Sequence, residues 1–174
     1  RWGNESSLQH RHLAGTLAIA MLTRGTSQLN RQQIADEITH LKIRGSLTQF
    51  QTTRDKLPGA LALVAQMLSD ASFPSAEFEE LRRESLTALQ AQLDNPEELS
   101  SDALNAHFNT YPPGDPRYHA ALAERIEELR RITLDEVIRY RQDLIGTARG
   151  EIAIVGDFDE AAIEEELRRL FPQQ

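Results

Sequence analysis

The side chains able to do chemistry are few and scattered. Five histidines stand at 10, 12, 40, 107 and 119, and the 174 residues include no cysteine. Disulfides, thiolate zinc sites and a cysteine nucleophile are therefore excluded. Two imidazoles three or four residues apart on one helix are the usual local start of a zinc site, and no two of these histidines have that spacing. His10 and His12 diverge on a helix and share a face only on a strand, with no third ligand suggested, so they read as surface residues. His107 and His119 flank a proline-rich loop that could bring them together, but loop-flanking polar residues are the default. Glu164, Glu165 and Glu166 offer neighbouring carboxylates for acid and base work, yet a charge run is more simply the solvated face of a helix. Arg82-Arg83, Arg130-Arg131 and Arg168-Arg169 read as helix-face charges paired with nearby Glu. There is no phosphate-cradling glycine loop, no Gly-x-Ser-x-Gly elbow and no evident Ser, His and Asp combination. Asn4-Glu5-Ser6 is a glycosylation triplet with meaning only in a eukaryotic secretory setting. The residues by themselves advertise no active site.

The elements that would have to position such groups are mostly helices. Leu13, Leu17, Ala20 and Met21 share one face, and Arg24-Gly25-Thr26 stops that helix. Asn30 with Gln33 forms a capping-box pattern for a second helix through about Leu41. From Ile43 to Thr53 the pattern favours strand. Asp55 is a fitting cap for a helix over Lys56 to Ser69, with Pro58 in the tolerated first turn. A long helix follows Phe73-Pro74-Ser75, with Phe78, Leu81, Leu86, Leu89 and Leu93 inward and Glu77, Glu79 and Glu80 at its positive end. Asn95-Pro96-Glu97-Glu98 restarts a helix as a capping box, which ends before the loop Tyr111 to Pro116. Two more helices are expected over Ala120 to Arg131 and from Thr133 to about Leu144. Gly150 to Asp157 reads as a short buried strand, and Asp159 caps a last helix through Leu170. Helices layered over a sheet suit this order, which predicts a single α+β domain over 1–174 whose sheet is largely antiparallel, with the helices packed on one face.

Composition narrows the classes further. Apolar residues make up 40% and charged residues 26%, ordinary values for a folded domain. No run approaches the length of a membrane span, and no signal peptide is in view. The first residues are Arg1-Trp2 rather than Met, as expected of a piece of something longer. The net charge is −8 and uneven, with 10 basic and 9 acidic groups up to residue 87 and 9 against 18 beyond it. Lys42 and Lys56 are the only lysines, so nucleic acid is a poor partner. Arg-rich, Lys-poor usage points to a high-GC organism.

The order of these motifs resembles the pitrilysin/insulinase family of inverted-zincin metallopeptidases. Leu13 to Thr26, ending Met21-Leu22-Thr23-Arg24-Gly25-Thr26, stands where that family reads His-x-x-Glu-His-Met-x-Phe-x-Gly-Thr. Asn30 to Leu41, Phe73-Pro74 with the long helix, Tyr111 to Pro116 with Ile126 to Tyr140, and Ile154 to Asp159 follow in the family's order. The resemblance covers nearly the whole chain. It places Thr16 and Ala20 at the two zinc-binding histidines, Ile19 at the general base, and Thr87-Ala88 at the third ligand, a glutamate. Zinc needs three donor ligands and its water needs a base, so the catalytic positions Thr16, Ile19 and Ala20 are degenerate. No catalytic, metal or cofactor site is expected in this domain.

The resemblance implies a processing-peptidase-like unit, the first of the non-catalytic half of a longer zinc metallopeptidase. Zinc would belong to the catalytic half, and this domain would help enclose and position a peptide. Its implied partners are that catalytic half, in the same chain or as a separate subunit, and a peptide substrate. A silent subunit of a heteromeric peptidase and a purely structural homologue, like a core subunit of a respiratory complex, are the alternatives within the family. The family also favours the bacterial periplasm over the cytoplasm. Between Leu41 and Asp55 it spends more residues on two strands than this sequence does, through a shortened hairpin or absent residues. Helices alone, without sheet from Ile43 to Thr53 and Gly150 to Val155, would instead indicate an unrelated helical binding module.

Overall fold

The computed structural model describes residues 3–146 and 150–172. In chain order its elements are α1 (Glu5–Leu8), α2 (His12–Met21), α3 (Arg31–His40), β1 (Arg44–Gly45), β2 (Phe50–Gln51), α4 (Leu57–Ser69), α5 (Ser75–Leu93), α6 (Pro96–Phe108), α7 (Leu122–Arg131), α8 (Leu134–Leu144) and α9 (Glu160–Leu170). The described residues fall into two compact units, one made of 21–73, 145–146 and 150–172, the other of 3–20 and 74–144.

In the first unit α3 starts as its sequence dictates. The Asn30 side chain accepts from Gln33 N–H at 2.9 Å, and Gln33 Oε1 accepts from Asn30 N–H at 2.9 Å. It ends on Lys42, whose φ of 52° lets Ile43 N–H reach the Ile38 carbonyl and Lys42 N–H reach that of Thr39. That turn carries Ile43 back onto the cluster formed by Ile34, Leu41, Leu63 and Met67, where Ile38, Leu47 and Val64 also pack. Burying each such side chain contributes about 1.5–3 kcal/mol. Asp55 does not cap α4. It lies in a single 3-10 turn over Arg54–Lys56 and accepts from Thr53 Oγ1 at 2.6 Å, and α4 begins at Leu57 with Pro58 in its first turn. α9 packs on α4 and is capped by Asp159, whose Oδ1 accepts from Ala162 N–H at 3.1 Å.

In the second unit α5 runs along α7, with Phe78 and Leu81 buried on one and Leu122, Ile126 and Leu129 on the other. Those α7 positions recur every three or four residues and form its inner stripe. α8 adds Val137 and Tyr140 and starts on a capping box, Thr133 N–H donating to Glu136 at 2.8 Å and Glu136 N–H to Thr133 Oγ1 at 3.4 Å. Gly15 on α2 lies so close to the Tyr140 ring that a Cβ would sit 2.6 Å from it. Asn95 caps α6 by accepting from Glu97 N–H at 3.0 Å, without the return bond from Glu98 that the box pattern suggests.

The expectation of a largely antiparallel sheet layered with helices is wrong. Among the described residues the only sheet is one hairpin, Arg44 opposite Gln51 and Gly45 opposite Phe50, and the chain is otherwise mainly helical. Ile43, just before β1, and Leu47, in the turn between β1 and β2, both pack on the apolar cluster. Gly45 holds a φ of 124° there, and a Cβ on it would meet the Gln49 carbonyl oxygen at 2.3 Å. The run from Gly150 to Val155 has strand-forming residues but no strand beside it, and Ile152 and Val155 are 52% and 98% exposed rather than buried. Propensity supplies one strand at a time, whereas a sheet needs a partner edge elsewhere in the chain.

Candidate functional site

α2 presents Thr16, Ile19 and Ala20 at i, i+3 and i+4, the spacing that puts three side chains on one helix face. Thr16 and Ile19 are exposed and Ala20 is half-buried. The Thr16 hydroxyl is already committed, donating to the His12 carbonyl one turn back at 3.1 Å. Thr87, exposed on α5, does the same to Arg83 at 3.0 Å, and Ala88 beside it has no donor atom. A hydroxyl bonded to its own helix, a branched alkyl group and a methyl do not fit zinc, which takes imidazole, thiolate or carboxylate ligands. Among the described residues no group of three or more His, Asp or Glu side chains is placed to hold a metal ion.

The histidines are dispersed. His10, with a φ of 57°, lays its ring against Gly114 and donates its backbone N–H to the Gly114 carbonyl at 2.9 Å. His12 opens α2 and is exposed. His40 lies 3.3 Å from Lys56 Nζ and 3.6 Å from Glu37. His107 meets Phe108 edge-on at 5.2 Å, while His119 pairs with Asp102 at 3.0 Å, so the loop between them does not join them to each other. The His119–Asp102 pair escaped the sequence reading because its members are 17 residues apart on different elements, beyond any helical spacing. Asp102 also accepts from Leu122 N–H at 3.0 Å. Burial pushes its carboxyl up, but those two donors together with the charges of His119 and Arg125 outweigh burial and leave it below the usual carboxylate range.

The second unit holds a cleft of about 810 Å³ beside the start of α2 and along α7 and α8. Its charged lining is largely paired. Arg11 binds Asp143 at 2.8 Å and lies 5.2 Å over the Tyr140 ring. Glu127 faces Arg130 at 2.6 Å, and Glu124 accepts from Tyr118 at 3.0 Å. Asp115 is gripped through both oxygens by Arg117, at 2.9 Å each, and its pKa is lowered to about 2. This set is made of ion pairs and one hydroxyl on a carboxylate, Tyr118 on Glu124, whose oxygen also takes the Ala121 N–H at the start of α7. The Arg pairs and the Glu164 to Glu166 run behave as read from sequence, with Arg83 on Glu80, Arg168 on Glu164 and Arg169 on Glu166 along exposed helix faces. Asn4 of the glycosylation triplet caps α1, accepting from Ser7 N–H at 3.0 Å.

Among solved structures, the chain is similar to a peptidase M16 inactive domain from Pseudomonas fluorescens, with a TM-score of 0.70 over 91% of this chain. The likeness is one of fold. Sequence identity is 22%, and the match spans 40% of that longer chain. No family profile and no curated protein matches the sequence. The hairpin of β1 and β2 lies within Ile43 to Thr53, so the chain is not helices alone. Among the described residues no helix is long and apolar enough to cross a membrane.

Proposed function

We propose that the chain is a non-catalytic peptidase domain of the pitrilysin/insulinase kind that encloses and positions a peptide for a catalytic half elsewhere. The observation that carries this reading is the face of α2. Inside a fold similar to an M16 inactive domain, the positions that the sequence resemblance assigns to zinc ligands and base hold Thr16, Ile19 and Ala20. A domain without a water-activating group can influence cleavage only by holding the substrate, which acts on positioning and not on bond chemistry. Zinc then belongs to the catalytic half, fused or separate, and a bacterial periplasm suits such a protein.

The test has two arms. Alone, with zinc supplied, the purified chain leaves extended peptides uncut. In the longer protein, deleting this domain slows cleavage of extended peptides while the zinc content of the catalytic half is unchanged. Chelator-sensitive cleavage by the isolated chain, or full activity after the deletion, refutes the proposal.

A further inference from the structure

Helix α6 is held to its unit differently from its neighbours. α5 and α8 each bury two large apolar side chains and α7 buries three, whereas no residue of α6 is buried. Leu104 and Phe108, on α6, stand 58% and 74% exposed. The attachments that tie it down are polar. Midway along it Asp102 takes the His119 ring on one carboxylate oxygen and the first N–H of α7, from Leu122, on the other, both at 3.0 Å. At its end the Asn109 amide donates to the Arg117 carbonyl at 2.9 Å. Its two connections are a break at Asp94–Asn95 and the loop Tyr111 to Pro116.

We propose that α6 is a hinged strap, latched through Asp102 onto the N-terminus of α7, which opens independently of the rest of its unit. A segment with little buried apolar area opens at the low-stability end of a fold, because a hydrogen bond exchanged for one to water contributes little net. The latch itself is well made, a carboxylate at the positive end of a helix with an imidazole on its other oxygen. Arg125 adds a favourable charge and is itself tied to Gln92 of α5 at 3.1 Å, while Glu98 precedes Asp102 by one turn of α6. Opening frees the Leu122 N–H from Asp102. The proposal does not depend on the peptide-enclosing reading.

Hydrogen exchange of the full chain, followed by mass spectrometry, tests it. In the unaltered protein the amides of α6 are expected to exchange at least about tenfold faster than those of α7 and of the first half of α5. Asp102→Ala should speed α6 by about a further tenfold, a charged hydrogen bond being lost, and leave α7 and α8 within about twofold. His119→Ala should act in the same direction. His119→Gln, whose amide can donate from the place of Nε2, should stay near the unaltered rate, and this pair serves if Asp102→Ala does not fold. Protection of α6 equal to that of α7, uniform acceleration of the whole unit by Asp102→Ala, or equal effects of the two His119 variants would overturn the proposal.

Discussion

The hydroxyl oxygen of Thr26 accepts from the backbone N–H groups of Gln28 and Leu29, at 3.2 and 3.0 Å, and from the Gln66 amide at 3.1 Å. The residue is buried, so water cannot replace this acceptor if it is lost. Thr26→Val keeps the shape and removes the oxygen. It should destabilise the protein by about 1–3 kcal/mol, whereas Thr26→Ser should cost under about 1 kcal/mol. Urea unfolding with an unchanged slope checks both, and equal losses would show that the methyl rather than the hydroxyl matters. Sequence alone placed Thr26 at a helix stop and within a family-like Gly-Thr. It could not show the hub, because Gln66 arrives from 40 residues away. The Asp102–His119 pair was hidden for the same reason, whereas the shared helix face of Thr16, Ile19 and Ala20 is visible in their spacing within one turn.

At the scale of elements, helices were legible because their signals are local. Asn30 with Gln33 and Thr133 with Glu136 close within one turn, and the apolar stripes of α7 and α8 need no other segment to be seen. Ile43 to Thr53 shows the limit. Its apolar residues fall four and then three apart, not in strict alternation, and the first two, Ile43 and Leu47, pack on a cluster beside a tight hairpin rather than on a sheet face. The end of α3 offers a test of its own. Lys42 occupies a left-handed conformation that glycine adopts without steric cost, so Lys42→Gly should stabilise the protein by about 0.5–1 kcal/mol, read from the thermal midpoint. A loss of stability would mean that the Lys42 side chain supplies more than the turn costs. The loop before α7 responds to acid. The Arg117 side chain holds Asp115 ionised, lowering its pKa from 3.8 to about 2. The unfolded chain takes up that proton first, so the contribution is present above about pH 4 and fades as pH falls toward about 2. An acid titration following the Arg117 Nε–H signal by NMR should give a midpoint near 2, and a midpoint at the ordinary carboxylate value would refute the pairing. Arg117 also reaches Glu5 at 2.7 Å and covers the Tyr111 ring at 4.2 Å, so the same titration should move the Tyr111 ring signals.

At the scale of the whole molecule, the fold is similar to that of an inactive peptidase domain, and the face that the sequence resemblance assigns to the zinc site holds Thr16, Ile19 and Ala20. If that face is degenerate rather than merely altered at one point, restoring part of it should not restore function. Thr16→His, Ile19→Glu and Ala20→His together should fold, since two of these positions are exposed and the third half-buried on a helix that tolerates such side chains. The variant would have two imidazoles and a base but no third ligand, because Thr87 and Ala88 offer no carboxylate and the Thr87 hydroxyl stays on Arg83. It would also lack the outer hydrogen bonds that orient ligating imidazoles, whose loss elsewhere costs about 10–100-fold in affinity. Competition against a chromophoric chelator should therefore show zinc binding no tighter than micromolar, and peptide cleavage should stay at background. Adding Ala88→Glu should tighten zinc binding if the α5 position is the missing corner of the site. Tight, stoichiometric zinc and efficient cleavage in the triple variant would mean that another side chain completes the site, and that the domain is a few substitutions from a peptidase rather than a holder of substrate.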